Sequence, residues 1–228
     1  MDQYAYMLLV LALAVVWAII AAVRRDMLRK MVKMSAYGLA LGAIAETWYG
    51  KDYWQPPTLL GDTLIVPEDL LFGFTITGIS ATIYYAVFRK QSVAGEVRRR
   101  PFFFALFIIG LSSMHVLCSV FHFNSLLVST ALFVIFTVVS VRLRTDLLLP
   151  ALKSGLLSVA VVIPIYIVIF DIICGDFWSR YWLLADTPWG ITLLGNIPAT
   201  ELWWYFTWGC LVGIGDEFSS GTKIMPVR

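Results

Sequence analysis

Two stretches decide how this chain folds: VPEDLLF at residues 66–72 and IPATELW at residues 197–203. Each stretch places a proline and then a carboxylate at the start of an apolar run that is long enough to cross a membrane. A carboxylate that enters hydrocarbon is energetically costly, so acids at such positions usually have a function. The two related stretches predict an internal duplication, with acid chemistry or ion binding between its halves.

The composition is that of an integral membrane protein. Of the 228 residues, 60% are hydrophobic and 14% are charged, whereas a soluble domain is much less apolar. A helix needs about 20 mostly apolar residues to span a bilayer. Seven such stretches lie near residues 4–23, 31–48, 68–88, 102–121, 124–143, 151–173 and 199–216. The sequence therefore predicts an all-α integral membrane fold of seven transmembrane helices, with residues 1–228 forming a single membrane domain.

The distribution of positive charge predicts the orientation of these spans. Fifteen of the 17 lysines and arginines follow the first, third, fifth or seventh span, and only Lys51 and Arg180 fall on the opposite side. Because cytoplasmic loops carry the excess of basic residues, we expect the N-terminus outside and the C-terminus in the cytoplasm. The same confinement to short loops argues against nucleic-acid binding. We expect a multi-pass protein of the plasma (cell) membrane whose surroundings are the lipid bilayer.

The two halves of the chain share several features in the same order. The second and sixth predicted spans each place an acid four residues before a glycine, as Glu46 before Gly50 and Asp171 before Gly175. An aromatic loop, the tetrapeptide TLLG and a proline–acid stretch follow in both halves. We interpret residues 1–90 and 124–217 as two three-helix repeats, joined by a linker helix at 101–122. An odd number of spans per repeat plus one linker makes the repeats parallel.

Five carboxylates are candidates for catalysis. Two of them, Glu68 and Asp69, lie in the first turn of their helix and point about 100° apart, so one at most should face a central cavity. The others are Glu201, Glu46 and Asp171. Acidic side chains in a first turn can also be simple helix caps that favour the helix dipole, and each of these acids could equally be an interfacial or hydrogen-bonded residue. If Glu201 is buried, desolvation favours its protonated form.

Aromatic side chains surround the second acid in sequence. Tyr205 and Trp208 follow Glu201 at helical spacing on one face, and aromatic faces stabilise cations. The candidate substrate-binding residues are Trp48, Phe72, His115, Trp204, Tyr205 and Trp208. A lone membrane histidine such as His115 is more often a hydrogen-bonded packing residue than a catalyst. The sequence contains no metal-ligand cluster, phosphate loop or dinucleotide fingerprint, so we expect no metal and no cofactor.

These motifs resemble those of the lycopene cyclase domain family, a family of cofactor-independent membrane cyclases. Glu68, Asp69 and Phe72 match its proline–acid motif in the first half, and Pro198 and Glu201 match it in the second. Asp171, Gly175 and Trp178 resemble the family's second-span motif, with Glu46 and Gly50 as the counterpart. The chain departs from the pattern where Asp69 replaces a glutamate and Thr200 stands in place of a second one. The resemblance covers most of the chain.

The resemblance implies a terpene or carotenoid cyclase of the lycopene cyclase type. Such an intramolecular lyase or isomerase would fold a hydrophobic isoprenoid substrate and cyclise it by proton transfer without redox change. The runner-up interpretation is a small seven-span transporter with parallel three-helix repeats and a linker. Its proline hinges would be expected near the midplane, where Pro164 is the one clear example. Assembly into a homo-oligomer is left open by the sequence.

Overall fold

The computed structural model describes residues 2–61, 66–95 and 99–227. Within this part of the chain the fold is a bundle of long helices, with one short helix and two small two-stranded sheets. The helices are α1 (Asp2–Val23), α2 (Leu28–Asp52), α3 (Pro67–Val87), α4 (Arg100–His115), α5 (Ser125–Leu143), α6 (Leu148–Tyr166), α7 (Phe177–Tyr181) and α8 (Ala199–Ser220). The strands are β1 (Lys90–Val93), β2 (Thr192–Leu193), β3 (Ile197–Pro198) and β4 (Lys223–Pro226).

Five helical segments are long and apolar enough to cross a membrane. They are Asp2–Val23, Pro67–Val87, Arg100–Val120, Ser125–Leu143 and Thr145–Ile173. The segment Thr145–Ile173 consists of a short 3₁₀ turn, α6 and a π-helical stretch at Ile167–Ile173. The segment Arg100–Val120 consists of α4 and a π-helical stretch at Val116–Val120. Both α2 and α8 are also long, at 25 and 22 residues, but they carry more polar residues. The prediction of a helical membrane protein is therefore confirmed.

Small residues bring the central helices into close contact. In the α2–α3 pair, a Cβ added at Gly38 would lie 2.1 Å from the carbonyl oxygen of Gly73. In the α6–α8 pair, a Cβ added at Gly155 would lie 2.5 Å from the Cys210 Sγ. Such contacts let helix backbones approach closely, and packing of this kind holds helices together in lipid. The first proline–acid stretch begins α3 and the second begins α8, so Glu68, Asp69 and Glu201 are carried on well-packed helices.

Two arginines form matching turns, 120 residues apart in the chain. Arg24 follows α1 and pairs with Asp26 at 2.7 Å, and Arg144 follows α5 and pairs with Asp146 at 2.5 Å. The Arg24 guanidinium donates to the backbone oxygens of Tyr85 and Lys90. The hydrogen bonds from Arg24 hold the pKa of Asp26, which lies outside the membrane-spanning segments, below its usual range. The first turn therefore connects the end of α1, by hydrogen bonds, to the end of α3 and to the residues that follow α3.

The second turn repeats these connections in the other half of the chain. Arg144 donates to the backbone oxygens of Glu217 at 3.3 Å and Thr222 at 3.1 Å. Glu217 and Thr222 each lie 132 residues after their counterparts at the first turn. Beyond these acceptors, β1 pairs with β4 in antiparallel register, Lys90 against Pro226. Two equivalent strands that pair antiparallel are related by a local twofold axis, so the two halves have matched contacts at this end of the bundle.

We expect the guanidinium of Arg144 to stabilise the fold. The change Arg144→Ala removes both backbone hydrogen bonds and the pair with Asp146, and should lower the free energy of unfolding by about 2 kcal/mol. Thermal unfolding in detergent measures the effect. The matched control is Arg142→Ala, because Arg142 is exposed on the same helix end. Equal melting temperatures for the two variants would contradict this assignment.

Candidate functional site

A long cavity of about 840 Å³ lies between α2, α3, α4, α5 and α8. This volume falls within the range of small-molecule binding sites. Its walls are mostly apolar and aromatic along their length, and its charged side chains lie at the two ends. Glu46, Asp69 and Glu201 all line one end. The carboxylates of α2, α3 and α8 are thus brought together, although they are far apart in sequence.

The cavity runs nearly the whole length of the bundle. Its other end is lined by Lys33, Arg100 and Asp216. Glu201 and Asp216 are both on α8, and 15 residues of α-helix extend about 22 Å. Lys33 pairs with Asp216 at 2.5 Å, which neutralises much of the charge at that end. The acid cluster and the charged far end are therefore separated by an apolar middle section.

The side of the cavity between α2 and α4 opens toward the surface of the bundle. Tyr37 on α2 is 54% exposed and Phe104 on α4 is 64% exposed, yet both also line the cavity. Within α4 only Met114 is buried, so this helix covers the cavity loosely. An opening at this level would face lipid rather than water. An apolar molecule could reach the acid cluster from the bilayer through it.

The first carboxyl centre, on α3, consists of Asp69, Tyr6 and Glu46. The Tyr6 hydroxyl donates a hydrogen bond of 2.5 Å to Asp69 Oδ1. Gly42, one helical turn before Glu46, packs against the Asp69 backbone, and Glu46 and Asp69 line the same end of the cavity. Tyr6 is 2% exposed and Asp69 is 9% exposed. Two neighbouring carboxyls in an apolar cavity disfavour each other's ionised form.

The second carboxyl centre, on α8, consists of Glu201, Tyr166 and Tyr205. The Tyr166 hydroxyl donates to Glu201 Oε2 at 2.6 Å and lies 2.9 Å from the Tyr205 hydroxyl. Among the described residues Glu201 has no other side-chain hydrogen bond and no ion pair. Because a buried charge without a compensating partner is strongly disfavoured, the neutral acid is the stable form of this carboxyl.

Aromatic rings connect the two centres along the cavity wall. Phe72 lies 6.0 Å from Trp204, whose ring stacks on Trp208 at 5.5 Å. Phe133 on α5 contacts both tryptophans, at 6.0 and 5.0 Å. Trp204 is fixed in turn, since its Nε1 donates to the Tyr49 hydroxyl at 3.0 Å. This wall offers several ring faces to a cation held in the cavity.

Seven of the residues predicted from sequence line the cavity. These are Glu46, Trp48, Asp69, Phe72, Glu201, Trp204 and Trp208. Tyr205 does not line the cavity; it is fully buried behind the wall and reaches the site through Tyr166. The structure therefore does not place Tyr205 at the cavity, because the i+4 position of α8 turns toward α6.

Three other predicted positions also lie away from the cavity. Glu68 is buried on the opposite side of α3, where Oε1 accepts a hydrogen bond from the Leu59 backbone nitrogen at 2.8 Å. Asp171 accepts one from the Asn196 backbone nitrogen at 3.1 Å and secures the loop before α8. His115 is exposed on the outer face of α4. None of these three side chains lines the cavity.

Sequence reasoning missed the tyrosines of the site. Tyr6 and Tyr166 donate to the two acids, and Tyr49 and Trp54 also line the cavity. A tyrosine near the end of a span is ordinary in a membrane protein, because its ring suits the interface. The signal that could have revealed Tyr166 is its spacing: it follows Glu46 by the same 120 residues that separate Arg24 from Arg144.

Comparisons with protein families, curated proteins and solved structures found no match to this chain. Within the described residues no group of three or more histidine, cysteine, aspartate or glutamate side chains could hold a metal ion. The site is therefore interpreted from its own geometry.

We expect the Tyr166 hydroxyl to stabilise the second carboxyl centre. The change Tyr166→Phe keeps the ring but removes the hydrogen bonds to Glu201 and Tyr205, so the free energy of unfolding should fall by about 1 kcal/mol. Tyr84→Phe is the control, because the Tyr84 side chain makes no hydrogen bond to the described residues and Tyr84 is remote from the cavity. If both variants unfold at the wild-type temperature, the Tyr166 hydrogen bonds contribute nothing to stability.

Proposed function

We propose that this protein is a membrane-embedded cyclase of isoprenoid alkenes, similar in activity to the lycopene cyclases. The observation that carries the proposal is the apolar, aromatic cavity with three carboxyls gathered at one end. A polyene fits such a cavity because its binding depends on apolar burial rather than on polar contacts. The carboxyls then act on the end of the chain that reaches them.

The proposed fold has seven transmembrane helices in two parallel repeats. The five apolar segments are joined in this proposal by α2 and α8, which pack closely against α3 and α6 at small residues. The matching turns at Arg24 and Arg144, and the antiparallel pairing of β1 with β4, support a twofold relation about the membrane normal. With the positive charge placed inside, this arrangement puts the acid cluster near the outer leaflet of the cell membrane.

The chemistry requires only proton transfers. A carboxylic acid gives its proton to the terminal alkene, so its O–H bond breaks and a C–H bond forms. The π electrons of an internal alkene close the ring, and a carboxylate removes a neighbouring proton to restore a double bond. Atoms and electrons balance, and the product is an isomer of the substrate. General acid–base assistance of this kind typically contributes about 10²–10⁴-fold to the rate.

The aromatic wall assists the same reaction. Phe72, Trp204 and Trp208 lie next to the acids and can stabilise a carbocation by cation–π attraction, worth about 2 kcal/mol in a desolvated site. The cavity also excludes water, which would otherwise capture the cation. Holding the chain folded over the acids lowers the entropic part of the barrier.

One observation favours the alternative of a small carrier. The cavity reaches Lys33, Arg100 and Asp216 at the far end of the bundle as well as the acids at the near end, as a transport path would. The apolar middle section suits a long hydrophobic molecule better than a sugar or an ion. A carrier would move its cargo without changing it, so product analysis separates the two functions.

Expression in bacteria that accumulate lycopene tests the proposed activity. We expect a cyclised isomer of unchanged mass by chromatography and mass spectrometry. Glu201→Gln should reduce its formation at least about 10²-fold, whereas Asp171→Asn should retain wild-type formation because Asp171 is outside the cavity. Unchanged lycopene with folded wild-type protein would rule out this substrate; unchanged shorter isoprenoids as well would reject the cyclase and leave the carrier.

The proposed orientation has its own test. Green fluorescent protein fused after Arg228 should fluoresce, and alkaline phosphatase at the same site should be inactive, because the C-terminus is proposed to be cytoplasmic. Fusions after Lys51, at the proposed outer end of α2, should give the opposite pair of results. Phosphatase activity at the C-terminal fusion would contradict the topology.

A further inference from the structure

We propose that the two carboxyl centres have fixed and different roles: Glu201 donates the proton that starts cyclisation, and Asp69 accepts the proton that ends it. This inference rests on the proposed cyclase function. It assigns a direction to proton movement across one cavity, and it makes Tyr166 and Tyr6 the positioning residues of the acid and of the base.

Glu201 has the surroundings of a neutral acid. It is 7% exposed, it sits among aromatic rings, and the structure pairs it with a tyrosine rather than with a cation. The Tyr166 hydroxyl bonds Glu201 Oε2 at 2.6 Å and the Tyr205 hydroxyl at 2.9 Å, so this network consists of phenols and one carboxyl and contains no cation. Oε1 makes no hydrogen bond to the described residues, so this oxygen can present the acidic proton to an alkene in the cavity.

Asp69 has the surroundings of a carboxylate. Its Oδ1 accepts a hydrogen bond from the Tyr6 hydroxyl. Glu46 lines the same end of the cavity, and two neighbouring carboxyls are more stable with one negative charge between them than with two or with an isolated buried charge. What distinguishes this centre from that of Glu201 is therefore the second carboxyl, and Asp69 can take up a proton from a carbocation.

The difference between the centres follows from one position in the proposed repeats. Asp69 and Glu201 lie 132 residues apart, the same separation as the backbone acceptors of the two arginine turns. The second helix of each repeat faces these acids with Glu46 in the first half and Tyr166 in the second, 120 residues later. The same place in the fold therefore holds a second carboxyl at one centre and a phenol at the other. This single difference makes one centre an anionic pair and the other a neutral acid.

Each ring closure then moves one proton through the substrate. The Glu201 O–H bond breaks as a C–H bond forms at the end of the polyene, and a C–H bond beside the cation breaks as Asp69 gains a proton. Ring closure leaves Glu201 ionised and Asp69 protonated. Exchange with water then removes the proton from Asp69 and restores one to Glu201 before the next turnover. No oxidant or reductant takes part.

Product distributions of purified variants in liposomes test the two roles. With Glu201→Gln we expect substrate consumption to fall at least about 10²-fold. With Asp69→Asn consumption should continue, but the cation should lose its proton at other carbons or capture water, giving double-bond isomers and alcohols. Asp171→Asn, outside the cavity, should match the wild type in both rate and product ratio.

Two milder variants keep the test decisive if Asp69→Asn does not fold. Tyr6→Phe removes a hydrogen bond from Asp69, the proposed base, so it should change the product ratio more than the rate. Tyr166→Phe removes one from Glu201, the proposed acid, so it should slow substrate consumption at an unchanged product ratio. The reverse pattern, or identical effects at both centres, overturns the assignment of roles. If the wild type cyclises no isoprenoid, the proposed function itself fails; if it cyclises one but the variants do not separate, only this inference fails.

Discussion

Hydrogen bonds from tyrosine hydroxyls to buried carboxyls are the interaction on which this site depends. A carboxyl inside an apolar bundle must be neutral or well hydrogen-bonded, because burial without compensation costs several kcal/mol. Tyr6 and Tyr166 provide the compensation for Asp69 and Glu201 without adding a positive charge. A lysine or arginine in their place would hold both acids ionised and would leave no proton for an alkene. The choice of tyrosine thus preserves the reactivity of the acids while it makes their burial tolerable.

The scaffold supports this arrangement through packing and through its two matching turns. Close contacts such as that between Gly38 and Gly73 hold α2 against α3, and so place Glu46 and Asp69 at the same end of the cavity. The turns at Arg24 and Arg144 fix the other ends of the helices. In our proposal an ancestral three-helix unit gave two similar halves, and the exchange of glutamate and tyrosine at positions 46 and 166 made their centres chemically distinct. One side of the resulting cavity stays loosely covered by α4, which suits a substrate that dissolves in the bilayer.

Much of the fold could be predicted because long apolar runs have few alternatives in a membrane protein. The predicted span at 31–48 falls within Leu28–Asp52, and that at 102–121 overlaps Arg100–Val120. Asp69 and Glu201 were found because an acid that begins an apolar helix is conspicuous. Asp171 could not be excluded from sequence, since a π-helical stretch at Ile167–Ile173 changes the direction in which that side chain points. Tyr6 and Tyr166 were missed because their hydrogen bonds join helices that are distant in sequence.

The most direct test of the account is isotopic. The wild-type protein in liposomes made with D₂O, supplied with lycopene or a shorter polyene, should yield a cyclised isomer that carries one deuterium per ring, at the carbon protonated first. That result is expected because a buried carboxyl exchanges its proton with solvent between turnovers and then delivers it to the alkene. A cyclised product without deuterium would contradict proton donation by an exchangeable acid, and unchanged polyene would contradict the cyclase function itself.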